Sequence, residues 1–296
     1  MPDGSAAKLE SMPTAARPVP APIRALFRLV GSLAPRATAA WIFGRMLRPA
    51  RRRDSRGAAA SARPLELDFE GQHLRIHAWG ERGPLAVLVH GWEGRSDDLL
   101  AFVPPLRAQG WRVLALDLPA HGASPGRQTD VHRMAAALAA LIEAQGPVDA
   151  MIAHSLGAAV AATCRERYAA PIHRLALIAP GGDLQAEIEL IAGQLRLPPS
   201  CVSALRARAR LHYACELQEC ATAHALTRAQ AWHAASLLVV HDHGDRVVPI
   251  AVGERLAKTV GAELVATRGL GHRRILQDRD VVSAVTRFCL RPLGPR

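Results

Sequence analysis

The sequence has no run of about 18 to 20 uncharged apolar residues, so none of it reads as a membrane-spanning helix. Cysteine is scarce among its 296 residues. The five present, Cys164, Cys201, Cys215, Cys220 and Cys289, form no CxxC pair and leave one over. That argues against a disulfide framework or a structural zinc site and favours a reducing, cytoplasmic setting. Aromatic residues make up only 4% and do not alternate with arginine, which removes the stacking platforms used for nucleic acid. Lysine is almost missing, with only Lys8 and Lys258, so the basic character is that of arginine. No internal repeat is visible.

The remaining composition is globular: 49% hydrophobic, 21% charged, enough chain to bury a sizeable core. The formal net charge of +11 is unevenly placed. Residues 1–63 hold twelve Arg or Lys against three acids, and residues 64–296 hold 25 against 23. The basicity therefore belongs to a leader, and the body is nearly neutral.

Residues 1–22, rich in Pro, Ala and Ser, read as a flexible arm. From there Ile23, Leu26, Phe27, Val30 and Leu33 share one helical face, with Arg24 and Arg28 beside it. After Pro35 a second segment carries Trp41, Ile42, Phe43, Met46 and Leu47, and runs into Arg48 and the triplet Arg51-Arg52-Arg53. Two readings stand. A basic amphipathic helix lies on anionic lipid and gives a peripheral membrane contact, or the helices pack on the body, the reading preferred for residues 23–50. Residues 54–63 are a small-residue linker, so the chain divides into a basic N-terminal arm (1–63) with amphipathic helical segments and a folded domain (64–296).

In that domain Leu65, Leu67 and Phe69 alternate with polar residues, and so do Leu74, Ile76 and Ala78 across a Glu70-Gly71 turn. This is a hairpin pattern. Leu85–Val89 is a continuous apolar run of the kind buried on both faces of a parallel sheet. Strand-like runs follow at 111–116, 149–153, 174–179, 236–241 and 262–267. Helical runs fall at 96–108, 129–145, 156–168, 249–260 and 278–290. The alternation predicts an α/β fold: a mostly parallel, doubly wound sheet with an N-terminal antiparallel hairpin. Between Ala179 and Ser236 lies far more helical sequence than one crossover needs, and it reads as an inserted helical cap at about 183–232.

The chemistry concentrates at Ala153-His154-Ser155-Leu156-Gly157, where an apolar strand runs straight into a helix with a serine at the junction. Such a turn lifts the hydroxyl clear of the sheet, the nucleophile-elbow geometry of G-x-S-x-G with Ala153 in place of the first glycine. A serine is a poor nucleophile unless a base takes its proton and a carboxylate orients that base. The base is expected in the Gly269-Leu270-Gly271-His272 loop, as His272. The acid is expected just after an earlier strand, where Asp242 and Asp245 compete; Asp245 is preferred as the catalytic acid and Asp242 as structural. Oxyanion donors would be the backbone N–H groups of Leu156, next after the serine, and of Trp92 in His90-Gly91-Trp92-Glu93-Gly94. His90 reads as a loop-holding residue.

On these residues the chain resembles the α/β-hydrolase superfamily, in its serine-hydrolase, esterase- and lipase-like branch, over about residues 65–292. His90-Gly91-Trp92, Asp117 to Ser124, the Ser155 elbow, the Asp245 loop and Gly271-His272 stand in family order. The resemblance implies a nucleophile, acid and base at Ser155, Asp245 and His272, with no cofactor and no metal. It also implies a small-molecule ester or thioester substrate and a structural His121. It sets no oligomeric state. Two alternatives from other classes remain. His241, His243 and Asp245 have the H-x-H-x-D spacing of metal-dependent hydrolases, and a hydrolase-like scaffold can bind without catalysis. Within the enzymes, an acyltransferase or a C–C bond hydrolase would use the same residues.

Overall fold

The computed structural model describes residues 19–50, 62–217, 219, 221–229 and 236–292. The arm at 1–18, the Arg51–Arg53 triplet, most of the linker and the last residues of the expected cap lie outside the described residues. The centre is an eight-stranded sheet in the order β1-β2-β4-β3-β5-β6-β7-β8. Strands β1 (Arg63–Phe69) and β2 (Gln72–Trp79) form an antiparallel hairpin, with Leu65 opposite Ile76 and Leu67 opposite Leu74. Strand β2 also runs antiparallel to β4 (Arg112–Leu116). From β3 (Leu85–Val89) through β4, β5 (Ala150–His154), β6 (Leu175–Ile178), β7 (Leu237–Asp242) and β8 (Glu263–Thr267) all pairing is parallel.

Parallel strands need crossovers, and the helices supply them on both faces. Helices α4 (Val131–Gln145) and α5 (Leu156–Tyr168) pack together over one face, where Leu138, Leu141, Val160 and Val87 are fully buried. The other face is covered by α3 (Val103–Ala108) and α11 (Arg279–Leu290), around Phe102, Leu106, Val285 and Phe288. The helix expected over 96–108 is split into a 3-10 turn at Ser96–Phe102 followed by α3. Pro104 and Pro105 explain the break: neither has an N–H to continue the upstream ladder, yet both suit a helix's first turn. Helix α9 (Ile250–Val260) lies between β7 and β8.

Among the described residues, the interval between β6 and β7 holds α6 (Leu184–Leu195), α7 (Pro199–Tyr213) and α8 (Thr222–Arg228). The leader supplies α1 (Ala21–Leu33) and α2 (Pro35–Met46), which meet at Ala34 before Pro35. Helix α2 buries Ala39, Ile42 and Phe43 against Cys201, Leu205, Ala209 and Tyr213. In its packing, α2 therefore belongs with α6 and α7 rather than hanging from the body as an arm. Beyond it, Leu47 C=O accepts from Thr129 N–H at 2.9 Å, and Ala50 N–H donates to Glu93 Oε1 at 3.1 Å. Cys164, Cys201 and Cys289 are buried free thiols, but Cys215 is disulfide-bonded. The absence of CxxC and an odd count argue against a framework, but neither excludes a single crosslink. Among the described residues no helix is long and apolar enough to cross a membrane.

Candidate active site

Strand β5 ends at His154 and α5 begins at Leu156, which leaves Ser155 alone in the junction. Its φ is 53° and its ψ −123°, a conformation that costs a non-glycine residue on the order of 1–3 kcal/mol and persists only where neighbours enforce it. They do. Ser155 N–H donates to Ile178 C=O at 3.0 Å, and Ser155 C=O accepts from Ala158 N–H at 3.0 Å and Gly181 N–H at 3.1 Å. The small residues flanking it act on different partners. Ala153 is fully buried inside β5, whereas a Cβ at Gly157 would stand 2.6 Å from Val89 O and 2.7 Å from His90 O. The glycine serves the approach of α5 to the end of β3.

His272 sits in α10 (Gly271–Arg274), the short turn after β8. Its Nε2 is 3.0 Å from Ser155 Oγ, and its Nδ1 is 2.7 Å from Asp245 Oδ2. With Nδ1–H donating to the carboxylate, Nε2 is the acceptor for the serine O–H. Asp245 Oδ1 accepts from Val247 N–H at 2.8 Å and Val248 N–H at 2.9 Å. Burial by itself would raise the Asp245 pKa. The adjacent His241 ring and the hydrogen bonds from His272 and Val248 outweigh it and hold the carboxyl well below the ordinary range.

The two competing acids, three residues apart, have separate tasks. Asp242 Oδ1 accepts from Gly244 N–H at 2.7 Å, while Oδ2 accepts from Thr267 Oγ1 at 2.7 Å and Leu270 N–H at 3.0 Å. It binds the end of β7 to the end of β8 and to the loop that carries His272, and it does not reach the imidazole.

Two histidines matter in ways the sequence reading missed. His154, one residue before the serine, has its Nε2 2.9 Å from His272 C=O. Burial first, then the charge of His272, lowers its pKa to about 3. It is therefore neutral and donates Nε2–H to that carbonyl, steadying the loop. No periodicity could reveal a bond spanning so much sequence. His241 is fully buried, with Nε2–H donating to Val248 C=O at 2.9 Å and lying 3.4 Å from Asp245 Oδ2. It braces the acid. His243 is exposed. Of the H-x-H-x-D residues, His241 and Asp245 are thus buried together while His243 stands in solvent, because the chain leaves the strand at Asp242 and turns. Among the described residues no cluster of His, Cys, Asp or Glu could hold a metal.

The segment after β3 closes as a turn, with Gly94 N–H donating to Gly91 C=O at 3.0 Å. Among the described residues Trp92 N–H has no hydrogen-bond acceptor. Gly91, Trp92, Ser155 and His272 line one cleft of about 150 Å³. Leu156 opens α5, so its N–H has no intrahelical acceptor and lies at the positive end of the helix. His90 Nδ1–H donates to Gly91 C=O at 2.8 Å, and its Nε2 accepts from Leu118 N–H at 3.1 Å. His121 is buried, with its ring 5.2 Å from that of Trp92. Asp117 accepts from Ser96 N–H, Ser96 Oγ and Ala123 N–H, each at 2.8 Å. A larger hollow of about 310 Å³ beside Arg63, Trp79 and Arg107 holds no nucleophile and base.

A model of the alpha/beta hydrolase family matches residues 86–285, more than half of the chain. Over 118 residues the chain is 32% identical to the dihydrolipoyllysine-residue acetyltransferase component of the acetoin cleaving system of Cupriavidus necator. That match covers 39% of this chain and 31% of the relative, so the chain spans about a third of that relative's length. Among solved structures it is similar to a putative lipase from Acinetobacter baumannii, with TM-score 0.60 and 18% identity over 78% of this chain and 92% of that one. It is also similar to Est1E from Butyrivibrio proteoclasticus, solved with ferulic acid, with TM-score 0.56 and 18% identity over 76% and 98%.

Proposed function

The chain belongs to the alpha/beta hydrolase family, and we propose that it is a serine hydrolase that cleaves a carboxylic ester or thioester. One observation carries the reading: a serine held at positive φ, with Oγ 3.0 Å from an imidazole whose other nitrogen is 2.7 Å from a buried carboxylate. In the proposed reaction Ser155 Oγ attacks the acyl carbon as its proton passes to His272 Nε2. Asp245 stays ionised and compensates the imidazolium. The carbonyl oxygen, negative in the tetrahedral intermediate, accepts from Trp92 and Leu156 N–H, and each such donor is worth roughly 3 kcal/mol in the transition state. Collapse expels the alcohol or thiol, which takes the proton back from His272. Water, deprotonated by the same imidazole, then releases the acid and frees Ser155.

The lipase and esterase neighbours support hydrolysis on this fold. Substrate length and leaving group are to be read from a panel of p-nitrophenyl esters of increasing acyl length beside acyl-CoA thioesters. A fluorophosphonate should label the protein at Ser155. Ser155→Ala should abolish labelling and lower turnover by about six orders of magnitude, with the fold intact. Labelling elsewhere, or undiminished turnover in the variant, overturns the assignment.

A further inference from the structure

Helix α1 is amphipathic in the reverse of the usual sense. Its inward side is marked by Gly31, the one buried residue of the helix, where a Cβ would stand 2.9 Å from Pro198 Cδ and 3.4 Å from Cys201 Cβ. That close approach fixes which side of α1 meets α6 and α7. Leu29 and Leu33, each two residues from Gly31, lie roughly 200° around the helix from it, and Leu26 shares their side. They point away from the protein, 56%, 58% and 76% exposed for Leu26, Leu29 and Leu33. Trp41 of α2, 59% exposed, lies with its ring 5.6 Å from that of Phe27, which is half-buried against the helical core. Elsewhere the large exposed apolar side chains Tyr168, Leu211, Val247 and Leu264 lie on separate elements. Here they form one patch, and a soluble surface does not keep such a patch without a use.

The charges around the patch identify the partner. Residues 19–50 carry Arg24, Arg28, Arg36, Arg45 and Arg48 and no acid. Among the described residues Arg24, Arg28, Arg36 and Arg45 form no ion pair, whereas Arg206 and Arg210 of the neighbouring α7 pair with Glu189 and Glu216. We propose that the outer face of α1, flanked by Trp41, docks on an anionic lipid bilayer, its leucines in the acyl boundary and the arginines of α1 and α2 supplying the attraction to the headgroups. A Trp at the edge of such a face suits the interface, where its ring is half solvated. The buried residues of α2 hold the patch rigidly on the protein, so docking needs no unfolding.

The test uses the full chain with vesicles of neutral phosphatidylcholine and with vesicles containing phosphatidylglycerol. The chain should co-sediment with the anionic vesicles, weakening as salt rises, and much less with the neutral ones. Leu29→Glu with Leu33→Glu should reduce that binding by about tenfold or more, while hydrolysis of p-nitrophenyl acetate in solution and the melting temperature stay unchanged. No binding to anionic vesicles at low salt overturns the proposal. So does binding that survives the double substitution, which would assign it to another basic segment. A dimer in solution that the double substitution dissolves would assign the patch to a second copy of the chain instead.

Discussion

The ends of the parallel strands and the helical layer made by α1, α2, α6 and α7 are held by different physics. Around Ser155, Asp245 and His272 the polar groups are tied by short, directed bonds: two backbone N–H groups on Asp245 Oδ1, three groups on Asp242, a carbonyl on His154. The helical layer has one small apolar cluster around Phe43, Ile188, Leu205 and Tyr213 and leaves a face of leucines in water. Directed bonds define a geometry to tenths of an ångström, and apolar contact defines only a neighbourhood. The first arrangement suits a site that must position atoms, as proposed for Ser155, and the second a surface that only has to adhere, as proposed for α1.

The strongest test of this contrast separates the two acids. Asp245→Asn should lower kcat by about four orders of magnitude, the loss known for a carboxylate that orients a catalytic imidazole. Asp242→Asn should cost melting temperature first, because it releases the loop from β7, and activity only as far as His272 drifts. Steady-state kinetics beside thermal melts of both variants decide it; a dead Asp242→Asn with an active Asp245→Asn would reverse the two roles. His241→Ala should fall between, lowering kcat without the collapse seen at Asp245.

In the helical layer, Phe43→Ala should destabilise by about 3 kcal/mol through the cavity it leaves between His212 and Tyr213. Leu33→Ala should change stability by less than about 0.5 kcal/mol. Urea midpoints measure both. Equal losses would mean that the leucine face is covered in solution.

Another effect concerns pH. The His154 pKa is lowered to about 3 from an ordinary 6.5. A base with a depressed folded-state pKa contributes stability that is complete above the unfolded value and is lost as pH falls. Below pH 6.5 the wild type should therefore lose stability with a slope approaching roughly 1.4 kcal/mol per pH unit from this group, and His154→Gln should flatten that slope. Asp245, whose pKa is lowered from 3.8, adds its own loss only below that value. Parallel urea titrations between pH 7 and 4 isolate the histidine; identical slopes would show that His154 is not neutral and buried.

The contrast also governs how much could be read in advance. Helix α5 was expected at 156–168 and spans Leu156–Tyr168, and every expected strand of the sheet lies within a residue or two of its observed position. Strand–serine–helix sterics are local, so Ser155 stood out, and chain order then pointed to Asp245 and His272. What stayed hidden depends on partners distant in sequence: the His154 bond to the His272 carbonyl and the bracing of Asp245 by His241. The seating of α2 on α7 was expected only as packing on the body in general. An apolar stripe shows that a helix has a face to bury, but not which way the face turns. In α1 the stripe divides: Leu26 and Leu33 face outward, while Phe27 and Val30 are half-buried.

The connection from β6 to β7 has a consequence of its own. The chain leaves at Ile178 and returns at Leu237 into a neighbouring strand, with Ile178 in register with Val240 and Ala179 N–H bonded to Val240 C=O at 2.8 Å. Leu237 itself pairs with Leu175, so the excursion runs from the C-terminal end of one parallel strand to the N-terminal end of its neighbour, and the ladder fixes both points whatever lies between them. Lengthening such a loop costs little, because closure entropy grows only with the logarithm of its length. The excursion can therefore change in length at little cost to the sheet that carries Asp245 and His272.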